Sequence, residues 1–251
     1  MFEFIHLSKP AISKAIVIEG LPGIGNVGKI AVDFIIESIN AKKIVSIYSQ
    51  SFPHSVFVNE NNLIDLPAIS IYHKRLHNQD FLFIAGDVQP LDEKSCHEFC
   101  NALLDYLEKL KTREIITLGG IGLPKIPKQP KVYITGNDKK LISKYSLTGV
   151  EKNIFGVVGP IIGVSGLLAG LASKRAIPSV ILLAQTFGHP TYMGIKGSRE
   201  LIKLLSKSFS FKVNLNALDK EISELESAVK ITIPQSFATL TPPKDKVTYI
   251  G

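Results

Sequence analysis

Short apolar runs alternate along this chain with longer segments whose apolar residues recur at helical spacing. Runs typical of buried strands occupy residues 15–19, 43–48, 80–86, 114–118, 131–135 and 179–185. Apolar residues recur every three or four positions over residues 27–39, 92–110 and 198–206, which predicts amphipathic helices. Strands that alternate with helices predict an α/β sheet covered by helices on both faces.

Two further apolar runs predict a hairpin rather than another strand–helix unit. Residues 55–58 and 63–72 are separated by an Asn-Glu-Asn-Asn segment. Asparagine tolerates the left-handed backbone of tight turns, so this segment is suited to reversing the chain.

Residues 154–172 form an uncharged stretch of 19 residues, long enough for a membrane span. The Gly159-Pro160 pair predicts a break between a strand and a helix, and a further strand follows soon after, so we expect a buried helix. On that helix Gly159, Gly163, Gly166 and Gly170 would share one face. Such a face lets another backbone approach closely, either that of the same sheet or that of a neighbouring subunit.

The C-terminal part is predicted to contain a helix and then a tail. Leu218, Ile222, Leu225 and Val229 form a narrow apolar stripe, which suits a packed terminal helix or a docking surface. Residues 231–251 contain three prolines and no helical period, which predicts an extended tail. No linker interrupts the earlier alternation, so we expect one domain over residues 1–230 and a tail over residues 231–251.

The amino-acid composition excludes several classes of protein and of binding partner. The chain has 251 residues, 45% of them hydrophobic and 20% charged, which is typical of a globular protein. Its only two cysteines, Cys96 and Cys100, cannot form a disulfide framework, so we expect a reducing, cytoplasmic setting and a buried thiol pair. The net charge of +7 is scattered and accompanies no nucleic-acid-binding motif. We therefore expect a solvated basic surface, no membrane association and no nucleic-acid partner.

The sharpest motif is a glycine-rich loop between the first predicted strand and helix. Gly23, Gly25 and Gly28 match the G-x-G-x-x-G dinucleotide fingerprint, with Asn26 inside it. That fingerprint needs an acidic residue after the second strand, where this chain has Ser49. The dinucleotide interpretation therefore lacks an essential part.

The same loop also approaches a phosphate-binding P-loop that ends in Lys29. Asp87, at the end of the run F-L-F-I-A-G-D, resembles the acidic magnesium partner of such proteins. However, position 30 is Ile where a hydroxyl should bind magnesium. A nucleotide or phosphometabolite site over residues 23–29 therefore stays an alternative to a tight, closely packed strand–helix connection.

Other chemical motifs are weaker. Ser165 falls short of a nucleophile elbow because position 167 is Leu, and His189 has no identifiable partner. Cys96, His97 and Cys100 supply too few ligands for a structural metal site. We therefore expect no enzyme activity, no metal and no cofactor.

Several of these segments together resemble the archaeal proteasome assembly chaperone family. They are G-L-P-G-I-G-N-V-G-K-I-A (residues 20–31), G-G-I-G (119–122), the glycine run (157–172) and A-I-P-S-V-I-L-L-A-Q-T (176–186). The resemblance covers about residues 10–230. It implies a three-layer α/β/α sandwich of the phosphorylase/hydrolase type that self-associates. It also implies a non-catalytic role, ATP-independent binding of proteasome α-subunits or α-rings during assembly.

The resemblance also draws attention to the end of the tail, residues Tyr249, Ile250 and Gly251. Some family members end in a hydrophobic–Tyr–any-residue motif that docks between α-subunits. Here Tyr249 is third from the end instead of second, and the extra residue adds about 3.3–3.6 Å of chain. We expect this shift to misplace the terminal carboxylate, so a paralogous assembly factor is the alternative partner.

Overall fold

The computed structural model describes residues 1–147, 149–216, 218–220 and 222. The strands are β1 (Phe2–His6), β2 (Ile16–Gly20), β3 (Lys42–Ser49), β4 (Phe57–Val58), β5 (Ile64–Asp65), β6 (Ile69–Leu76), β7 (Gln79–Gly86), β8 (Glu114–Leu123), β9 (Val132–Gly136), β10 (Val150–Glu151) and β11 (Ser179–Phe187). The helices are α1 (Val27–Ser38), α2 (Glu93–Lys109), α3 (Lys139–Tyr145), α4 (Val164–Lys174) and α5 (Ile195–Phe209).

Nine of these strands form one mixed sheet in the order β1-β3-β6-β7-β2-β8-β11-β9-β10. Its centre is parallel, because β2 pairs in parallel with both β7 and β8, and β11 pairs in parallel with β8. The flanking pairs β3–β6, β6–β7 and β9–β11 are antiparallel. Strands β4 and β5 pair only with each other, outside this sheet.

Helices cover both faces of the sheet, which confirms the predicted three-layer α/β/α architecture. Alternate side chains of β2 show the division: Ile16 and Ile18 pack in the layer of α1, α3 and α5, and Val17 packs in the layer of α2 and α4. All five residues of β2 are buried, because both of its faces are covered. This two-sided burial explains why the central strands are continuous apolar runs in the sequence.

Several elements differ from the sequence-based expectation. Strand β1 and helix α3 were not predicted, and β8 continues through two glycines to Leu123. The expected hairpin is shorter than its apolar runs, because the second run divides into β5 and β6. Only β6 joins the main sheet, where it pairs with β3 and β7.

The prediction that four glycines share one helical face is wrong. Helix α4 begins at Val164, so Gly159 and Gly163 precede it and only Gly166 and Gly170 lie on it. Gly163 has a φ of 89°, a left-handed conformation that starts the helix only after this residue. No helix in the described part of the chain is long and apolar enough to cross a membrane.

The end of the chain is described only in part. Leu218 is buried and Ile222 is half-buried against the layer of α1 and α5, consistent with packing of the predicted stripe. Leu225, Val229, Tyr249, Ile250 and Gly251 lie outside the described residues. The division into a domain and a tail after residue 230 stays a prediction.

Candidate functional site

The glycine loop connects the buried end of β2 to the start of α1. A short 3-10 turn covers Ile24–Asn26, and α1 begins at Val27. Gly25 and Asn26 both adopt left-handed backbone, with φ of 62° and 51°. Glycine and asparagine are the residues that enter this region at least cost, so their presence here is explained by the turn itself.

The other glycines of this region allow backbone segments to touch. A β-carbon on Gly20 would lie 2.2 Å from the carbonyl oxygen of Gly28, and one on Gly28 would lie 2.5 Å from that of Leu118. A β-carbon on Gly120 of β8 would lie 2.3 Å from the carbonyl oxygen of Ile24. The backbone of the loop and of the first turn of α1 therefore packs directly against β2 and β8. These contacts agree with the interpretation of the loop as a closely packed strand–helix connection.

Part of the hydrogen-bonding capacity of the loop is already used inside the chain. The amide of Asn26 donates to the carbonyl of Gly23 at 2.9 Å, and the amide of Leu21 donates to Oε1 of Glu19 at 3.0 Å. A phosphate site needs several amides that point outward together. Amides that donate to the protein itself are not available for that role.

Lys29 is paired with two carboxylates. Its Nζ lies 2.8 Å from Oδ2 of Asp33, one turn further along α1, and 3.9 Å from Oδ1 of Asp87, which directly follows β7. Burial raises the pKa of Asp33, and the Lys29 ammonium opposes that shift. The structure thus places Lys29 and Asp87 near each other, and one ammonium beside two carboxylates leaves the local charge negative rather than positive.

Glu19 is a fully buried carboxyl group that the sequence analysis did not single out. It lies at the end of β2, and burial raises its pKa to about 7. Its Oε2 has no hydrogen-bond partner among the described residues. The available sequence signal was the single acidic residue that ends the apolar run A-I-V-I-E.

A groove of about 430 Å³ separates the first turns of α2 and α4. Cys96 lies in it, and Leu91 and Ile162 border it with 79% and 50% of their surfaces exposed. A β-carbon on Gly166 would meet the carbonyl of Ile161 at 2.3 Å, whereas one on Gly170 would have no atom within 4 Å. Packing inside the chain therefore explains why position 166 is glycine. Gly170, in contrast, leaves open space on the wall of the groove.

Gln89 joins this groove to the glycine loop. Its Nε2 donates to the carbonyl of Pro22 at 2.6 Å, and its Oε1 accepts from the amide of Val164 at 3.2 Å. Gly163 leaves room for the same side chain, because a β-carbon there would lie 2.8 Å from Oε1. Gln89 was not predicted as a site residue, because a lone glutamine in a loop carries no recognisable pattern.

The weaker candidates have structural partners. The hydroxyl of Ser165 donates to the carbonyl of Leu118 at 3.1 Å, and the ring of His189 stacks on that of Phe187. Both cysteines are buried and unpaired, as predicted. Within the described residues no three His, Cys, Asp or Glu side chains cluster in a way that could hold a metal ion.

The β4–β5 hairpin exposes a continuous group of large apolar side chains. We call residues 56–66 the apolar hairpin. Between 44% and 70% of each large apolar side chain on it is exposed, namely of Val56, Phe57, Val58, Leu63, Ile64 and Leu66. Solvent-exposed apolar clusters of this kind are typical of protein-binding surfaces.

Comparison with known proteins gives the family. The sequence model of the PAC2 family matches residues 17–232, most of the chain. The chain belongs to the PAC2 family. Among curated relatives, the uncharacterized protein MJ1210 of Methanocaldococcus jannaschii is 24% identical over 219 residues, which are 87% of this chain and 83% of the relative. The uncharacterized protein MJ0106 of the same organism is 28% identical over 230 residues, which are 91% and 89% of the two chains.

Solved structures of related proteins have the same fold. Pyrococcus furiosus PbaB, described as an archaeal proteasome activator, is 29% identical with a TM-score of 0.84 over 92% of this chain and 98% of its own. Pyrococcus furiosus PbaA, described as an archaeal homolog of proteasome-assembly chaperone, is 24% identical with a TM-score of 0.77 over 92% and 90%. The PAC2 fold of this protein, predicted from its sequence motifs, is thereby confirmed.

Proposed function

We propose that this PAC2 protein is a non-catalytic assembly factor that self-associates and acts during assembly of the 20S proteasome. It binds proteasome α-subunits, α-rings or a paralogous assembly factor, needs no ATP and works in the cytoplasm. The observation that carries the proposal is the family match over residues 17–232, together with the 29% identity to PbaB across 98% of that chain. The sequence resemblance to archaeal proteasome assembly chaperones points in the same direction.

The geometry of the glycine loop supports a role without nucleotide. The amides of Leu21 and Asn26 donate to acceptors within the chain, and the ammonium of Lys29 is paired with the carboxylates of Asp33 and Asp87. A binding role is supported by exposed apolar surface at the apolar hairpin and beside the α2–α4 groove. Proteins that act through contacts with other chains expose such patches.

Purified protein mixed with archaeal proteasome α-subunits tests the proposal. We expect co-elution in size-exclusion chromatography with light scattering, equally with and without ATP, and a mass above one subunit for the protein alone. A chain that stays monomeric and binds neither α-subunits nor a paralogous assembly factor would refute it. Deleting residues 248–251 separates docking through Tyr249, Ile250 and Gly251 from binding by the folded domain.

Proteasome activation is a second candidate, favoured by the description of PbaB as a proteasome activator. The two roles differ in the state of the proteasome on which they act. An activator raises peptide hydrolysis by preassembled 20S particles, whereas an assembly factor changes the yield of α-rings from isolated subunits. Measuring both with the same preparation distinguishes them.

The nucleotide alternative is tested separately. Calorimetry with a panel of nucleotides and phosphometabolites, on the wild type and on Lys29→Ala, measures whether residues 23–29 hold a phosphate. We expect no heat of binding for either protein. Submillimolar binding that is lost in Lys29→Ala would support a nucleotide-binding sensor or enzyme instead, using Gly23, Gly25, Asn26, Gly28 and Lys29.

A further inference from the structure

The apolar hairpin stands apart from the sheet with its apolar side chains in solvent. Its two strands contribute only the pairs Phe57–Asp65 and Val58–Ile64. Ile64 is 70% exposed and Val58 is 68% exposed. Burying side chains of this size against a partner removes apolar surface from water, which favours association.

The turn of the apolar hairpin is held by its own hydrogen bonds. Oδ1 of Asn59 accepts from the amides of Asn61 and Leu63, both at 3.0 Å, and its Nδ2 donates to Oδ2 of Asp65 at 2.9 Å. The amide of Asn59 donates to the carbonyl of Leu63 at 2.9 Å. Because the turn is formed in advance, a partner does not have to supply the free energy for ordering it.

The apolar hairpin and its flanking residues carry a net negative charge, whereas the whole chain is net positive. Residues 51–67 contain Glu60 and Asp65 but no Lys or Arg, whereas the whole chain carries a net charge of +7. Glu60 is exposed at the turn. A partner surface suited to this segment combines apolar side chains with lysine or arginine.

The loop between β8 and β9 has those properties. Residues 123–131 contain Lys125, Lys128 and Lys131 and no acidic residue, and Ile126 is 37% exposed among them. Lys131 pairs with Glu151, but Lys125 and Lys128 are exposed and have no ion pair in the described part of the chain. Three prolines restrict the backbone of this loop, so it is also preorganised. We call residues 123–131 the proline loop.

The base of the apolar hairpin offers a place for this apolar residue. A groove of about 550 Å³ is bordered there by Tyr48, Phe52, Pro53, Val56 and Leu66. A side chain of the size of Ile126 fits such a groove, and the flanking lysines would then lie near the acidic turn.

The apolar hairpin and the proline loop both lie at the carboxyl ends of the central strands, but they are far apart. The hairpin follows the end of β3 and the proline loop follows the end of β8, and these strands run in the same direction with β6, β7 and β2 between them. Four strand spacings amount to about 19 Å. Contact between the two surfaces is therefore expected between copies rather than within one.

We propose that the apolar hairpin of one copy docks on the proline loop of a second copy of this chain. The proposal rests on the self-association that is part of the proposed function, and it names the two surfaces through which the copies would associate. The two surfaces are different, so the contact is head-to-tail and gives a closed ring when the rotation between copies closes. All copies in such a ring would present the same sheet edge, with the glycine loop, to one side.

Sedimentation velocity of the full chain tests this contact. Leu66→Ser removes a 57% exposed apolar side chain from the border of the groove that would receive Ile126, and we expect it to weaken self-association about tenfold or more, because the apolar burial is lost. Leu91→Ser is the matched control, since Leu91 is 79% exposed but lies at the α2–α4 groove. It should leave the mass unchanged.

Exchanging charges between the apolar hairpin and the proline loop tests the same contact independently of the apolar substitution. Glu60→Lys alone and Lys125→Glu with Lys128→Glu should each weaken association, and combining all three changes in one chain should restore it. These residues are exposed, so the fold is expected to persist, which circular dichroism verifies.

The outcomes separate the two proposals. Wild-type oligomers that none of these changes affects would overturn the contact while leaving self-association intact. Loss of association in Leu91→Ser alone would move the interface to the α2–α4 groove. A wild-type monomer at high micromolar concentration would overturn both the contact and the self-association in the proposed function.

Discussion

The backbone of Gly28 on α1 lies directly against that of Leu118 on β8, so that a β-carbon on Gly28 would be 2.5 Å from the Leu118 carbonyl oxygen. The glycine loop thus sets how closely the first helix approaches the centre of the sheet. This contact requires glycine at position 28 for packing, whether or not the loop binds a phosphate.

Gly28→Ala should destabilise the protein by about 1–3 kcal/mol, because helix and strand must move apart to admit the methyl group. Gly170→Ala is the control, since it is also a helical glycine but has open space at the β-carbon position. There the lower backbone entropy of alanine should stabilise by about 0.5–1 kcal/mol. Urea unfolding of both variants measures the difference, and equal effects would refute the close-packing interpretation.

Glu19 should make stability depend on pH. Its pKa is about 7 in the folded protein against 4.5 for an ordinary glutamate, so the folded state binds more protons between these values. The stability that this group contributes should therefore be fully present below about pH 4.5 and be lost as the pH rises through 7, by an amount on the order of 3 kcal/mol.

Glu19→Gln should remove that dependence and be more stable than the wild type at pH 8, since no carboxylate has to ionise in the core. Urea unfolding at pH 5, 6, 7 and 8 checks it. Glu151→Gln is the control, because that carboxyl is 46% exposed and pairs with Lys131 at the surface. A Glu19→Gln profile parallel to that of the wild type would contradict the assigned pKa.

Lys29→Met should have a small effect on stability, below about 1 kcal/mol, because its partners Asp33 and Asp87 are 44% and 54% exposed. Without the ammonium the pKa of Asp33 should rise further, since Lys29 opposes the shift caused by burial. The loss of stability in the variant should therefore be larger at pH 7 than at pH 4. An NMR titration of the Asp33 carboxyl measures the shift, and an unchanged pKa would contradict the ion pair.

The thiol of Cys100 should react with a disulfide reagent only when the protein opens. Cys100 is fully buried and Cys96 is 7% exposed. A hydrogen bond with Cys96 and burial also raise the pKa of Cys100, so its thiolate is rare. Labelling of Cys100 should be slow in native buffer and rapid in urea, and the Cys96→Ala variant isolates its rate from that of Cys96, which lies in the α2–α4 groove. Fast labelling of Cys100 in the native state would show that α2 is not packed as described.

Much of the fold could be predicted from local pattern. The apolar runs of β2, β7 and β11 identified central strands, because strands covered on both faces lack polar alternation. The periodicity of α2 identified a helix that begins after Asp92, whose side chain accepts from the amide of Ser95. In contrast, β1 has exposed and half-buried residues at a sheet edge, so its sequence carries little signal.

The glycine pattern by itself was ambiguous. Spacing placed Gly159, Gly163, Gly166 and Gly170 on one helix, but helical spacing says nothing about where a helix starts. The left-handed backbone of Gly163 and the packing of Gln89 against Val164 determine that start. Both depend on residues more than 70 positions apart in the chain.

The amino-acid sequence alone therefore determined the α/β class, the buried thiols and the resemblance that led to the PAC2 family, because these depend on local periodicity and on motifs. Only the tertiary structure showed how closely the glycine loop packs, because Gly20, Gly28 and Leu118 meet across three elements. It also decided the state of Glu19, since the pKa of a carboxyl depends on every layer packed around it. The exposure of the apolar hairpin was decided in the same way, because burial is a property of the assembled sheet rather than of the hairpin sequence.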